Sequence, residues 1–173
     1  MIVGPQALDS RHQRGGFDSG EPSLDDWLKR QGLKNQASGA SRTYVICEND
    51  AVIGYYCPAA GAIGRAEAPK AMQRNKPDPI PVLVLGRLAI HKDHQQSGLG
   101  TALLRDAIMR SLRAAEIAGV TALLVHAISE EAKRFYRSRG FLESPIRPMT
   151  MCLMLSTVSK TLAPETLGEE QRR

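Results

Sequence analysis

Apolar positions recur along this chain with two periods. Leu24, Trp27, Leu28 and Leu33 share one face of a 3.6-residue repeat. They predict a helix that Ser23 caps and that runs to about Gln36, with Asp25 and Asp26 in the first turn, where negative charge suits the helix dipole. Runs rich in β-branched and aromatic residues predict strands over Arg42–Cys47 and Val52–Ile63, turning at Asn49-Asp50. Residues 65–81 hold Pro69, Pro77, Pro79 and Pro81 and read mostly as loop, with a short helix near 68–74. Residues 82–90 form a buried-strand pattern in which Gly86 suggests a bulge or a close backbone approach. A glycine-rich turn at 95–100 then opens a helix over 99–118, striped by Leu104, Ile108, Leu112 and Ala115 and closed by Gly119. Val120–Ala127 reads as a buried strand. Ser129 starts a second helix with acids at its start, bases at its end and Gly140 closing it. A last strand covers about Thr150–Leu155, and the tail after Leu162 is expected to fray.

This element order predicts a mixed α/β or α+β sheet. With 173 residues, 42% hydrophobic and 24% charged, the chain has the size and composition of one globular domain that needs no staples. The longest uncharged stretch, Ala51 to Gly64, is too short and too broken by Gly54, Pro58 and Gly61 for a membrane helix. Pro5, Asp9, Arg11 and Arg14 stand where a signal peptide needs an apolar run. Cys47, Cys57 and Cys152 are isolated and odd in number, so neither a disulfide framework nor a metal site is expected. The reading is a soluble cytoplasmic domain.

Formal charge is +5 but unevenly spread. Residues 1–26 carry two arginines against five acids, whereas 65–92 carry six basic residues against two acids, and 133–147 five against one. Clustered positive charge suits a polyanion such as nucleic acid or a phosphorylated cofactor, and an ordinary solvated face equally well.

Candidate chemistry begins at Gln95-Gln96-Ser97-Gly98-Leu99-Gly100, between a buried strand and a helix. The glycines allow close approach and positive φ, and the helix start offers N–H groups and the positive end of its dipole. Such a turn suits a pyrophosphate. No lysine follows the glycines and the spacing is not G-x-G-x-x-G, so neither a P-loop nor a dinucleotide fingerprint fits.

Here the chain resembles the GNAT N-acetyltransferases. Gln95-x-x-Gly98-x-Gly100 matches their R/Q-x-x-G-x-G/A loop, and Ala132 to Phe141 is similar to their A-x-x-F/L-Y-x-x-x-G-F segment. A narrower likeness to the acetyltransferase toxins of bacterial type II toxin–antitoxin systems runs through Phe17-Asp18-Ser19-Gly20, Leu24-Asp25-Asp26-Trp27-Leu28, Ser41-Arg42-Thr43-Tyr44-Val45, Val52-Ile53-Gly54-Tyr55-Tyr56 and Leu85 to Ile90. The resemblance implies a mostly antiparallel central sheet flanked by helices, with acetyl-CoA held between two splayed parallel strands. It implies a single domain over residues 1–162, with a flexible tail beyond. It further implies acetylation of the α-amino group of aminoacyl-tRNA, a block of translation, a homodimer and a ribbon-helix-helix antitoxin, with the complex able to bind operator DNA.

The resemblance places Leu88, Ala89 and Ile90 along the pantetheine arm, Gln95, Gln96, Ser97, Gly98, Leu99, Gly100 and Thr101 around the pyrophosphate, and Ala132 and Phe135 on the arm's far side. Acetyl transfer needs a neutral amine and a proton for the departing sulfur. Tyr136, seven residues after Ser129, is the candidate acid by its placement, and the resemblance gives it the same role. The competing reading of Phe135 and Tyr136 is plain core packing, which is the favoured one for Phe135.

No Ser-His-Asp or Cys-His arrangement is arguable, and His126 at a strand end reads as structural or as a substrate contact. An α-amine with pKa about 7.7–8.0 is about 10–20% neutral at pH 7, against about one lysine in 2,500. The lack of an evident base therefore favours an α-amine acceptor. For tRNA phosphates the candidates are Arg42, Arg74, Lys76, Arg87 and Arg137, with Arg87 alternatively in a structural ion pair. Two other readings stand beside this one. One is an acetyltransferase for a small amine or a protein N-terminus. The other is a non-catalytic binding module, against which an intact loop together with Tyr136 argues.

Overall fold

The computed structural model describes residues 1–158; the expected tail and the boundary at 162 lie outside them. Seven strands form one mixed, mostly antiparallel sheet flanked by helices. The strands are β1 (Ile2–Ala7), β2 (Tyr44–Glu48), β3 (Ala51–Ile63), β4 (Ile80–Ile90), β5 (Ala122–His126), β6 (Leu142–Glu143) and β7 (Thr150–Met154), in the order β1-β2-β3-β4-β5-β7-β6. The chain groups into two compact units, 1–59 with 85–107 and 60–84 with 108 onward.

In the first unit, α1 (Pro22–Trp27) passes through a π-helical turn (Leu28–Gly32) into α2 (Leu33–Ser38). The helix starts before the expected Ser23. Glu21 is the cap residue and Pro22 takes the first helical position, where its fixed φ is already helical. Asp25 serves more than the dipole, because its buried carboxylate accepts from the Ser19 N–H (3.0 Å) and hydroxyl (2.6 Å). The predicted face holds: Leu24, Trp27, Leu28 and Leu33 pack with Leu8, Phe17, Val45, Cys47, Val52, Tyr55 and Ala89. The β2–β3 hairpin turns at Asn49 and Asp50, both at positive φ as its tight turn requires. Its register slips between Ile46 and Cys47, and there the Ile53 carbonyl accepts the His91 N–H (2.8 Å).

The close backbone approach expected at Gly86 is not found there; tighter positions are Gly4, where an added Cβ would lie 2.5 Å from Val45 O, Gly61, 2.8 Å from Val84 Cγ2, and Gly54. A Cβ at Gly54 would stand 2.9 Å from Ile90 Cδ1 and 3.3 Å from Leu103 Cδ1, whereas at Gly86 it would meet only Cys57 O at an ordinary 3.7 Å. β1 was not foreseen, since Gly4-Pro5 breaks its strand pattern. It forms as an edge strand with a register shift across that pair, where a proline's missing N–H is tolerated.

In the second unit, a 3-10 turn (Arg65–Glu67) and α3 (Lys70–Gln73) lie within the proline-rich stretch. Ala68 and Met72 are buried with Ile63, Ile80, Val82, Ala122, Leu124 and Cys152. The long helix α4 (Leu99–Ala118), shared by both units, ends at Gly119 with φ +68. The last helix, α5 (Glu130–Ser138), begins at Ser129, whose Oγ accepts the Ala132 N–H (3.0 Å), and is followed by Gly140 at φ +94. β7 pairs antiparallel with both β5 and the two-residue β6, which is too short to show in sequence. No described helix is long and apolar enough to cross a membrane.

Gly54 gives the packing a direct test. Gly54→Val would drive two methyls into Ile90 and Leu103, and overpacking of this kind costs about 1–3 kcal/mol. The urea midpoint should fall with the m-value unchanged; an unshifted midpoint would show that Ile90 and Leu103 yield freely.

Candidate active site

The first unit carries the anion loop. Ile90 ends β4, eight residues separate it from Leu99, and α4 follows. Gln95 ties that turn together: its Nε2 donates to Ile90 O (3.0 Å) and Ser19 O (2.9 Å). His91 accepts the Asp93 N–H at Nδ1 (3.1 Å), and its Nε2 lies 3.2 Å from Gly16 O. Lys92 pairs with Asp18 (2.9 Å), and this contact, then the Gly20 N–H, holds the Asp18 carboxyl below its ordinary range. The Ser97 hydroxyl donates to His94 O. Gln96 and Gly98 adopt positive φ, +61 and +87. The Ala102 N–H closes onto Gly98 O (3.1 Å), starting the helix. Around a Cβ at Gly98 or Gly100 there is nothing within 4 Å, so the glycines leave open space at a helix start. That is the cradle a pyrophosphate needs.

Leu88, Ala89 and Ile90 lead directly into this loop. Ala89 is buried in the core, and Leu88 and Ile90 are half-buried. Gln95, Gln96, Ser97, Gly98 and Thr101 are exposed, and Leu99 and Gly100 half-buried. These predicted cofactor residues form one continuous strand-end, loop and helix-start.

The second unit carries Tyr136. Ser129 caps α5, which places Tyr136 near its end with only 8% of its surface exposed. The ring packs on Phe135 (5.3 Å between centroids) and Phe141 (5.3 Å), and burial pushes the phenol up to about 12. Among the described residues nothing hydrogen-bonds its hydroxyl. Tyr136 thus stays protonated across the physiological range, and no described residue engages its hydroxyl. Phe135 is half-buried between Tyr136 and the Arg139 guanidinium (5.0 Å), consistent with packing, and the Ala132 N–H is spent on the Ser129 cap.

His126 is exposed at the end of β5, its Nδ1 3.0 Å from Thr150 Oγ1. Among the described residues no cluster of His, Cys, Asp or Glu could hold a metal. Cys47, Cys57 and Cys152 are free and buried, and desolvation raises the thiols of Cys47 to about 11 and Cys152 to about 12, which leaves those two unreactive.

The five predicted phosphate contacts fare differently. Arg42 is exposed, one guanidinium nitrogen donating to Gln36 O (3.3 Å). Arg74 is exposed and Lys76 half-buried, both in the proline-rich stretch of the second unit. Arg137 pairs with Glu143, which Lys133 also approaches (3.4 Å); Arg137 first and Lys133 second hold the Glu143 carboxyl low. Its charge is therefore largely answered within the protein. Arg87 has no acid partner among the described residues and lies over the Trp27 ring instead, 4.4 Å from its centroid. The sequence marks Trp27 only as part of an apolar stripe, so its stacking role could not be read there.

Comparison with known proteins adds to this geometry. Residues 39–143 match the family described as Acetyltransferase (GNAT) domain. The chain is 43% identical over 151 residues to a tRNA-acetylating toxin of Mycobacterium tuberculosis, covering 87% of this chain and 91% of that one. It superposes on AtaT complexed with acetyl-methionyl-tRNAfMet with a TM-score of 0.85 at 28% identity, over 94% of this chain and 98% of that one. A variant of AtaT bound to acetyl-CoA and the C-terminus of the antitoxin AtaR gives 0.77 at 25% identity, over 94% and 97%. The AtaT–AtaR complex bound to DNA gives 0.73 at 26%, over 94% and 99%.

The open space at Gly100 supplies a test of the loop. A Glu side chain in the first turn of α4 suits the helix dipole, so Gly100→Glu should not lower the melting temperature. Facing a pyrophosphate, the same charge should weaken acetyl-CoA binding by at least about tenfold, because a like-charge contact removes the helix-start advantage. Calorimetric titration showing unchanged affinity would move the cofactor's phosphates away from this turn.

Proposed function

We propose that this chain, which belongs to the GNAT acetyltransferases and, by its identity to the mycobacterial protein, to their tRNA-acetylating toxins, transfers acetyl from acetyl-CoA to the α-amino group of aminoacyl-tRNA and so blocks translation. Tyr136 carries the reading: a buried phenol near pKa 12 whose hydroxyl has no partner among the described residues. The mycobacterial relative, a tRNA-acetylating toxin, and the acetyl-methionyl-tRNAfMet bound to AtaT support charged tRNA as the acceptor over a small amine or a protein N-terminus.

Bound acetyl-CoA supplies an activated acyl thioester. The open glycine cradle fits its diphosphate, with residues 95–101 holding that group at the start of α4. Leu88, Ala89 and Ile90 present strand backbone to an amide-bearing arm, with Ala132 and Phe135 contributing apolar surface. The proton on Tyr136 Oη goes to the departing sulfur, and the acceptor amine loses its own proton to solvent. The high phenol pKa keeps that proton available, and an α-amine near pKa 8 needs no strong base to become nucleophilic. Arg42, Arg74, Lys76 and Arg87 meet RNA phosphates, with Arg137 the least available because Glu143 engages it. The protein works in the cytoplasm as a homodimer of this single domain. A ribbon-helix-helix antitoxin neutralises it, and the pair binds operator DNA. The complexes of AtaT with AtaR and with DNA support the antitoxin and DNA parts of this reading.

The deciding experiment follows label from radioactive acetyl-CoA into charged tRNA, uncharged tRNA, free amines and peptides. Label should enter only charged tRNA and leave with deacylation; label on amines or peptides alone would reassign the substrate.

Tyr136→Phe removes a hydroxyl without orphaning a partner. It should lower kcat by about 10²–10⁴, as loss of a general acid does, and leave acetyl-CoA affinity unchanged. In the parent protein kcat/KM should climb with pH as the amine deprotonates, levelling near about pH 8. Because the Tyr136 pKa is raised, its proton is lost only as pH approaches about 12, so no fall should follow up to about pH 9. A bell with its falling limb near neutrality would remove Tyr136 as the acid.

A further inference from the structure

Arg87 interrupts an apolar face. Leu85 and Ala89, two residues to either side on β4, are each 4% exposed, and strand alternation puts Arg87 on their side of the sheet. A half-buried guanidinium is normally held by a carboxylate or carbonyls, yet among the described residues no group pairs with Arg87 or accepts its N–H donors. Its place is set by stacking. The guanidinium carbon lies 4.4 Å over the Trp27 centroid, and Trp27 lies nearly parallel to Tyr55, 9° apart at 6.0 Å. Tyr55 is fully buried, donates its hydroxyl to Leu24 O (2.6 Å) and meets the edge of Phe17 at 5.6 Å.

A guanidinium packed by its face keeps the N–H donors on its edge, and those donors form a planar fork that matches two oxygens of a phosphate. Trp27 therefore fixes the fork in place without using any of it. The fork sits on the residue immediately before Leu88–Ile90, the strand end that leads into the anion loop. On the proposed function that strand end carries the pantetheine arm, so a phosphate taken there would come from the nucleotides nearest the acceptor's reacting end. Resting on the aminoacyl-tRNA reading above, we infer that Arg87 binds a phosphodiester of the acceptor's single-stranded 3′ end. Trp27, backed by Tyr55, is the positioning residue that aims it. Arg87 thus differs in kind from Arg42, Arg74 and Lys76, which no stacked ring among the described residues holds in place and whose charges serve RNA by general attraction.

The test uses the full chain and an aminoacylated RNA minihelix whose 3′-terminal linkages are either phosphodiesters or neutral methylphosphonates. KM and kcat come from label transfer, affinity for the uncharged minihelix from anisotropy, and acetyl-CoA affinity from calorimetry. Arg87→Gln should raise the minihelix KM and Kd about tenfold to hundredfold, the range for lost charge-assisted hydrogen bonds. Arg87→Lys should not restore them, because an ammonium keeps the charge and loses the fork. Trp27→Leu should raise KM in the same direction with acetyl-CoA affinity unchanged, and Trp27→Phe should recover part of the loss. One methylphosphonate position should weaken the parent protein and leave Arg87→Gln indifferent. Equal losses in both proteins at every position would overturn the inference, as would full rescue by lysine or a loss of acetyl-CoA affinity in Arg87→Gln. A parent protein that acetylates peptides but neither acetylates nor binds the minihelix overturns the tRNA reading itself, and this inference with it.

Discussion

The turn between β4 and α4 depends on one side chain finding two carbonyls. A strand that stops and a helix that starts within a few residues leave peptide groups without ladder partners, and each such group costs free energy if buried. The Gln95 carboxamide donates to Ile90 O and Ser19 O together, closing the strand end against the 16–19 segment. His91, Lys92 and Ser97 satisfy further groups around it. With the turn's own needs met by side chains, the start of α4 is left to an anion, and the glycines keep the space before it clear.

Tyr136 shows the opposite use of environment. Nothing hydrogen-bonds its hydroxyl among the described residues, so burial alone sets its proton affinity. Desolvation disfavours the phenolate and keeps the acid form well above neutrality. On the proposed mechanism that suits an acceptor whose amine is already partly neutral: the protein would supply the leaving group's proton, and the substrate its own nucleophile. A lysine acceptor would reverse the demand and call for a strong base.

Charge counted along the chain and charge available in the fold differ. The basic stretch at 133–147 contains Lys133 and Arg137 converging on Glu143, and Arg147 reaching Glu67 (3.1 Å), so three of its five basic side chains lie beside a carboxylate. Lys92 is answered by Asp18. Arg87, set in an apolar strand, keeps its donors because an indole holds it instead of an acid. Net charge attracts a polyanion, but pairing decides which cations remain to meet it.

Local signals determined most of the elements and both parts of the candidate site. Ser129, Gly119 and Gly140 mark helix ends where the structure has them, because caps act over three or four residues. The loop at 95–100 and Tyr136 were legible from motifs, and the β2–β3 turn from Asn49-Asp50, since each encodes its conformation in adjacent residues. Ser23 gave way to Glu21 and Pro22, a competition between neighbouring caps that spacing alone leaves open. Tertiary structure decided what depends on residues far apart in the chain. Gly54 is crowded where Gly86 is not, because Ile90 and Leu103 from other elements approach it. The edge strand at 2–7 forms because β2 offers a partner that no local pattern announces. The roles of Arg87, Trp27 and Arg137 follow from what packs beside them, and a sequence records a charge without its neighbours.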